Sequence, residues 1–343
     1  MLLAGDVGGT KTLLGIFRSG DARPGPEHVE SFVTLDYPGL EPMVRGFLRA
    51  RGVASADIEA ACFGVAGAVT EQVARLTNVP WRISGADLKG ALGFRRARLL
   101  NDLEALAYGV TTLVPSELCV LQRGTPSPGG NAAVVAAGTG LGEAILLNVD
   151  GRLVPGESEG GHADFGARTP RELDLVRELT RVFGRASVEH VLSGPGIVNL
   201  YQFTHDAFGT GRRLSANSIA PARLCGAVGE VEDAAELPAR ISAAATERTC
   251  SRCVEAMDMF VSAYGAEAGN VALRAVATAG VFIGGGIAPK ILPALQSGLF
   301  LDAFLAKAPM QDLVASIPVS VILHEETGLL GAAAYAQYLT RTA

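Results

Sequence analysis

Charged residues are scarce. Asp, Glu, Lys and Arg make up 19% of the 343 residues, and their balance is acidic, with a formal net charge of −6. That argues against a nucleic-acid surface. It leaves a phosphate ligand open, because backbone amides and a metal ion hold phosphate without many lysines. Cysteine is sparse and odd in number: Cys62, Cys119, Cys225, Cys250 and Cys253. In a chain this long, such a set excludes a disulfide framework. The longest uncharged apolar run, between Arg274 and Lys290, is short and broken by Gly280, Gly284, Gly285 and Gly286. It reads as a buried strand and turn, so no membrane partner is expected. The start, Met1-Leu2-Leu3-Ala4-Gly5-Asp6, lacks the basic residues and apolar stretch of a signal peptide, which makes the cytoplasm the expected location. Glycine is frequent but scattered singly or in short turns, excluding collagen-like and disordered readings. What is abundant is apolar: 48% hydrophobic residues, enough to bury the cores of two ordinary domains.

Along the chain, Leu2 to Ala4 and Leu13 to Phe17 read as strands around a Gly8-Gly9 turn. A strand is expected over His28 to Leu35, a helix over Leu40 to Arg51, and buried strands over Ile58 to Val65 and Ala97 to Leu100. Trp81, after Thr77-Asn78-Val79-Pro80, is expected to be buried near a strand end. The Gly-, Pro- and Ser-rich stretch Arg123 to Asn131 is a loop. A second strand-turn-strand unit follows: Ala132 to Ala137, Gly138-Thr139-Gly140, then Ala144 to Val149. It echoes the first and points to an internal duplication, with two α/β halves facing each other across a cleft. Pro170 to Ala277 is mostly helical. Val281 to Ile283 is a strand feeding a glycine turn, with Pro289 in the first turn of a helix. Ile317 to Leu323 is the last strand, and Thr327 to Leu339 the closing helix.

Six motifs carry candidate chemistry. In Asp6-Val7-Gly8-Gly9-Thr10-Lys11-Thr12 the glycines let backbone N–H groups approach a ligand, Thr10 offers a phosphate contact, and Asp6 stands where it could orient hydrated Mg²⁺; the same residues also suit a plain hairpin turn. It is neither a P-loop nor a Rossmann fingerprint. Gly138-Thr139-Gly140-Leu141-Gly142 is a second such hairpin, or a flexible turn. Gly284-Gly285-Gly286 precedes a helix start that would attract an anion, or serves close helix–strand packing. Asn101-Asp102 puts a carboxylate at the carboxyl end of a strand, where ligands bind in open α/β sheets; either residue would equally cap the next helix. Glu159-Gly160-Gly161-His162 aims a carboxylate and an imidazole into one space, suited to a polyhydroxyl ligand, or forms a solvated loop. Glu189 to Gly196 reads as a short helix, with Ser193 capping the next. Cys250-Ser251-Arg252-Cys253 lacks a second cysteine pair to complete a zinc site. It reads as helix interior, dispensable for chemistry.

The order of these motifs resembles the bacterial ATP-dependent glucokinase family, within the superfamily of actin, sugar kinases and heat-shock ATPases. The resemblance runs from Gly5 to about Tyr335. Its specific pieces are Leu100-Asn101-Asp102, Ala137 to Gly142, Glu159 to Phe165, Val191 to Gly196 and Gly328-Leu329-Leu330-Gly331. It implies a two-domain α/β fold of ribonuclease-H-like topology (the actin-like ATPase and hexokinase fold) with an interdomain cleft. The small domain would span 1–112 plus 327–343 and the large domain 113–326. It implies glucose binding by Asn101, Asp102, Glu159, His162 and Glu189, with Asp102 as the base for the C6 hydroxyl. ATP would lie against Asp6, Gly8, Gly9, Thr10 and Lys11, against Gly138, Thr139 and Gly140, and against Gly284, Gly285 and Gly286. Mg²⁺ would be oriented through water by Asp6, and the protein would be a homodimer.

Lys11 departs from the Asn of several relatives; it adds a phosphate contact or faces solvent. Glu157 offers a second carboxylate near Glu159. The chain lacks the clustered cysteine zinc motif of repressor/ORF/kinase sugar kinases, which favours a zinc-free branch. A sugar-sensing regulator is disfavoured by the presence of Asp102 and the absence of a DNA-binding segment before Leu2. A kinase for mannose or an acylated amino sugar, and polyphosphate as donor, stay open.

Overall fold

A computed structural model describes every residue except 22, 77, 78, 157, 209, 210, 212, 216, 342 and 343; of 213–215 and 218 it describes the backbone alone. The expectations for Thr77, Asn78 and Glu157 therefore lie outside the described residues. The architecture is mixed α/β. Two compact units are present, one comprising Met1–Glu117, Leu153–Gly156 and His324–Ala343, the other Leu118–Arg152 and Glu157–Leu323.

In the first unit the strand Leu2–Val7 pairs antiparallel with Lys11–Arg18 and parallel with Ala60–Val65. Gly25–Val33 and Ala97–Asn101 complete the sheet at its two edges. Ala60–Val65 is buried at every position, which is why its sequence is an unbroken run of small and apolar residues rather than an alternation. Met43, Val44 and Phe47 of the helix Leu40–Ala50 share one core with Phe63, Trp81 and Leu88. Leu329, Ala332 and Ala336 of the helix Thr327–Arg341 share another with Leu2, Cys62 and Leu100. Trp81 is buried beside the strand Arg82–Ser84, as expected.

The helix Asp102–Val110 crosses Thr327–Arg341 at a glycine contact. A Cβ on Gly331 would stand 1.7 Å from the Ala105 carbonyl oxygen, and one on Gly109 would stand 2.1 Å from that of Thr327. Backbone fills these gaps, so the helices must separate to admit even a methyl group. Gly331→Ala is expected to destabilise the protein by about 3 kcal/mol, the upper end of ordinary overpacking. Urea unfolding of the variant beside wild type measures this; an unchanged midpoint would refute the tight crossing.

The second unit repeats the layout. Ala132–Ala137 is antiparallel to Leu141–Val149 and parallel to Gly280–Gly284. Gly280–Gly284 is parallel to Val319–Ile322, and Leu118–Gln122 runs antiparallel beyond it. The buried helix Ser251–Ala275 packs under this sheet. The hydroxyl of its Tyr264 lies 3.0 and 3.1 Å from the carbonyls of Val135 and Gly284, and accepts the Ala137 N–H at 3.2 Å. One side chain thus fastens the ends of the two strands that feed glycine turns.

The stretch Pro170 to Ala277 is mostly helical, as expected, and is interrupted by the strand pair Arg213–Ser215 and Ser218–Ile219, too short to show an alternating pattern. Two local expectations need correction. Glu189 to Leu192 is a series of turns, not a short helix; the Glu189 amide donates to the Gly161 carbonyl and the His190 amide to that of Ser187, while the amides of Val191 and Leu192 share the Val188 carbonyl, so no regular helical ladder runs through. Cys250 and Cys253 are not in a helix interior. Cys250 is the N-cap of Ser251–Ala275, and Cys253 lies in its first turn. Among the described residues no helix is long and apolar enough to cross a membrane.

Candidate active site

The first hairpin is shaped from below by two buried threonines. Gly8 N–H donates to the Lys11 carbonyl at 3.0 Å, closing the turn. Thr34 Oγ1 donates to the Gly8 carbonyl at 2.9 Å and so must accept from Thr12 Oγ1, also at 2.9 Å. Thr34 N–H donates to the Thr10 carbonyl at 2.9 Å. This leaves Gly9 and Thr10 outermost, with Thr10 and Lys11 exposed. Asp6 lies at the end of the central strand, between Leu13 and Gly64. Its carboxyl is pushed up from 3.8 to about 6, first by burial, then by the Asp102 carboxylate, against a smaller opposing pull from Lys11.

At the end of Ala97–Asn101 the two adjacent residues divide the work. Asn101 is the helix cap: its Oδ1 accepts the Leu103 N–H at 2.9 Å, while its Nδ2 donates to the Gly67 carbonyl at 3.0 Å. Asp102 is the first helical residue and is exposed, with Oδ1 2.9 Å from the Leu103 nitrogen. The capping expected of one or other of them is carried by Asn101.

In the second unit, Glu159, His162 and Glu189 come together. His162 Nε2 is 3.8 Å from Glu159 Oε2, and its Nδ1 is 3.9 Å from Glu189 Oε1. Glu159 and His162 are exposed, whereas Glu189 is buried. Glu189 is held by its own N–H to the Gly161 carbonyl at 2.9 Å. Its Oε2 accepts the Leu141 N–H at 2.9 Å, and its Oε1 accepts from Asn217 Nδ2. One residue therefore ties the Gly-Gly-His turn, through its backbone N–H, to the second glycine hairpin, through its carboxylate. Ser193 caps the helix Gly194–Thr204, accepting the Gly196 N–H at 2.9 Å and donating to the Glu189 carbonyl at 2.8 Å.

The third glycine turn needs its glycine. Gly285 has φ +82, and a Cβ there would stand 2.1 Å from the Ala137 carbonyl oxygen. The expected helix after it is reduced to a 3-10 turn, Ala288–Ile291, and the four-residue helix Leu292–Leu295. Pro289 suits a first turn, but Pro293 has no N–H to bond the Pro289 carbonyl four residues back, so one continuous α-helix cannot run through. A helix this short has little dipole to attract an anion. Instead the turn walls a cavity of about 840 Å³ within the second unit. Gly138 and Thr139, Gly194 and Pro195, and Gly286 with Lys290 lie around it, and the helix Leu237–Thr246 forms the facing side. Gly194 N–H donates to the Gly138 carbonyl at 2.8 Å, joining two of these walls.

The glucokinase family model matches residues 3–339. The chain belongs to the glucokinase family. A glucokinase of Nostoc sp. is 39% identical over 340 residues, 97% of this chain and 98% of its own. A glucokinase of Synechocystis sp. is 37% identical over 96% of both chains. The crystal structure of a glucokinase from an Antarctic psychrotroph is 29% identical, covers 98% of both chains and superposes with a TM-score of 0.84. The fold is shared further, at 19% identity and a TM-score of 0.60, by a repressor/ORF/kinase-family glucokinase of Streptomyces griseus solved with glucose and AMPPNP, covering 98% of this chain and 99% of that one.

Within this glucokinase-family chain the sequence motifs miss Thr34 under the first turn, with its buried bond to Thr12, Asn217 on Glu189, Tyr264 under the strands, and the Leu237–Thr246 wall. None has a local signature. They also miss the surroundings of Cys250 and Cys253, which were expected to lack partner ligands. That is corrected: His205 and Cys225 lie beside them, and the four ligand atoms are all within 4.8 Å of one another. The chain folds back over more than forty residues to make this group, so no spacing rule announces it.

Proposed function

We propose that this chain is a hexose kinase that transfers the γ-phosphoryl group of ATP to the C6 hydroxyl of glucose, giving glucose 6-phosphate and ADP. The observation that carries the reading is Glu189, a buried carboxylate bonded to the second glycine hairpin and adjacent to His162. It couples a hydroxyl-binding cluster to the wall of a cavity in the size range of small-molecule pockets.

Asp102 is the base, accepting the C6 hydroxyl proton as the bond to phosphorus forms; phosphoryl transfer asks the protein mainly for position and charge. Asn101, Glu159, His162 and Glu189 bind the remaining hydroxyls, the ionised carboxylates making the stronger, charge-assisted bonds. Gly8, Gly9, Thr10 and Lys11, with Gly138, Thr139 and Gly140, receive the phosphates, and the Gly284 to Gly286 turn receives the nucleoside. Mg²⁺ fits the donor set, because a hard cation prefers carboxylate oxygen and the crowded Asp6 and Asp102 carboxylates favour a cation nearby. Asp6 would orient it through water, and when bound it supplies charge neutralisation on the β and γ oxygens. The same family footing leads us to propose ribonuclease-H-like domains of 1–112 plus 327–343 and 113–326, a homodimer, and a cytoplasmic place in glycolysis.

Turnover with a panel of sugars and with ATP or polyphosphate tests this; glucose with ATP is expected to give the highest kcat/KM, and mannose or an acylated amino sugar ahead of it would reassign the substrate. A sharper prediction concerns the cluster. Loss of a charge-assisted bond costs about 1.5–3 kcal/mol, so His162→Ala and Glu189→Gln are expected to raise the glucose KM by roughly tenfold or more, with less effect on the ATP KM. Calorimetry showing normal glucose binding by both variants would remove them from the sugar site.

A further inference from the structure

We propose that His205, Cys225, Cys250 and Cys253 form a closed, structural zinc site. Nε2 of His205 is 3.5 Å from Cys250 Sγ, and the Sγ atoms of Cys225 and Cys253 are 3.9 Å apart. A tetrahedral zinc with bonds of about 2.3 Å to sulfur and about 2.0 Å to nitrogen requires ligand separations of about 3.8 Å between sulfurs and about 3.5 Å from sulfur to nitrogen. The observed distances agree with both. The S···S distance is nearly twice that of a disulfide.

The histidine is also set for a metal. Its Nδ1 lies 2.8 Å from the Tyr201 carbonyl oxygen, to which it donates. That bond fixes the tautomer with the lone pair on Nε2, the nitrogen that faces the sulfurs, and a backbone carbonyl is a common outer partner of a metal-bound histidine. The Tyr201 ring stacks on the imidazole at 3.9 Å, and the Tyr201 hydroxyl accepts the Cys225 N–H at 2.7 Å. Cys250 and Cys253 sit at the N-terminus of a 25-residue helix, which holds their backbone in place. Three soft thiolates and one imidazole select zinc over magnesium or calcium, and four protein ligands leave no open position for catalysis. On binding, each cysteine thiol releases its proton to solvent.

The site has a structural task in view. It joins the end of the helix Gly194–Thr204 to the start of Ser251–Ala275, and pins through Cys225 a stretch with little regular structure. That stretch leads into the helix Leu237–Thr246, a wall of the large cavity.

The test uses the full chain, reduced, exposed to zinc and then gel-filtered. Metal analysis is expected to find about one zinc per chain, with Cys225→Ser, Cys253→Ser and His205→Ala depleted and Cys119→Ser undiminished. Should the variants fail to fold, the wild-type protein decides: stripped by a chelator, its Tm falls and zinc restores it. Cobalt added in place of zinc gives the visible bands of a tetrahedral thiolate site. In the zinc form the part-exposed Cys225 and Cys250 resist a thiol reagent, and in the stripped form they react. Wild type that retains no zinc, a chelator-insensitive Tm, or a native Cys225–Cys253 disulfide found by peptide mapping would each overturn the proposal.

Discussion

Asp102→Asn is expected to lower kcat by about 10²–10⁴-fold, the usual cost of losing a general base, while Tm and glucose affinity stay near wild type. The structure makes this substitution unusually clean. The helix that begins at Asp102 is capped by Asn101, whose Oδ1 holds the Leu103 N–H, so the cap survives. Asparagine also retains an oxygen in place of Asp102 Oδ1, which lies 2.9 Å from the same nitrogen. What it loses is the ability to take a proton as a carboxylate does. Steady-state kinetics beside a thermal melt separates the roles. A variant keeping most of its kcat would return Asp102 to a local structural role, and the base would have to be sought elsewhere; a variant that lost stability as well would mean that Asp102 supports the helix start beyond the Asn101 cap.

The parts legible in the sequence were those whose chemistry is local. The strand Ala132–Ala137 has the expected bounds, because a run of small apolar residues ends abruptly in Gly138. Ser193 was readable as a cap from its place before Gly194-Pro195. Glu159 and His162 were readable as neighbours because two residues of turn separate them. What escaped depends on distant segments meeting. Thr34 reaches the Gly8 carbonyl from the far end of a third strand. The cavity wall Leu237–Thr246 is an alanine-rich helix whose function lies only in its surface shape. The C-x-x-C pair has no second close pair in the sequence, yet beside it lie a histidine at the end of one helix and a cysteine in irregular chain. Sequence spacing cannot report a ligand set that tertiary folding assembles from three places.

Asp6→Asn is expected to raise the stability of the ligand-free protein by about 3 kcal/mol near neutral pH while lowering kcat/KM by roughly 10²-fold, the scale seen on removing one charge-stabilising group. Both effects follow from one observation. Burial and the Asp102 carboxylate raise the Asp6 carboxyl from 3.8 to about 6. In the unfolded chain it ionises near 3.8, so between that pH and about 6 the native state holds a proton the unfolded state has lost. Native stability therefore falls as pH rises through this window, and above about 6 the full penalty of an ionised, crowded Asp6 is present. Asparagine has no such ionisation, so its advantage is absent below about pH 4, grows to about pH 6 and is level beyond. The ionised carboxylate that destabilises the protein is also the group proposed to orient Mg²⁺, so the same charge opposes folding and serves the reaction. Denaturant titrations of wild type and variant across this range, with kinetics at neutral pH, measure both. Parallel pH–stability curves would show that Asp6 ionises as an ordinary aspartate. A variant with undiminished kcat/KM would take Asp6 out of the metal's surroundings.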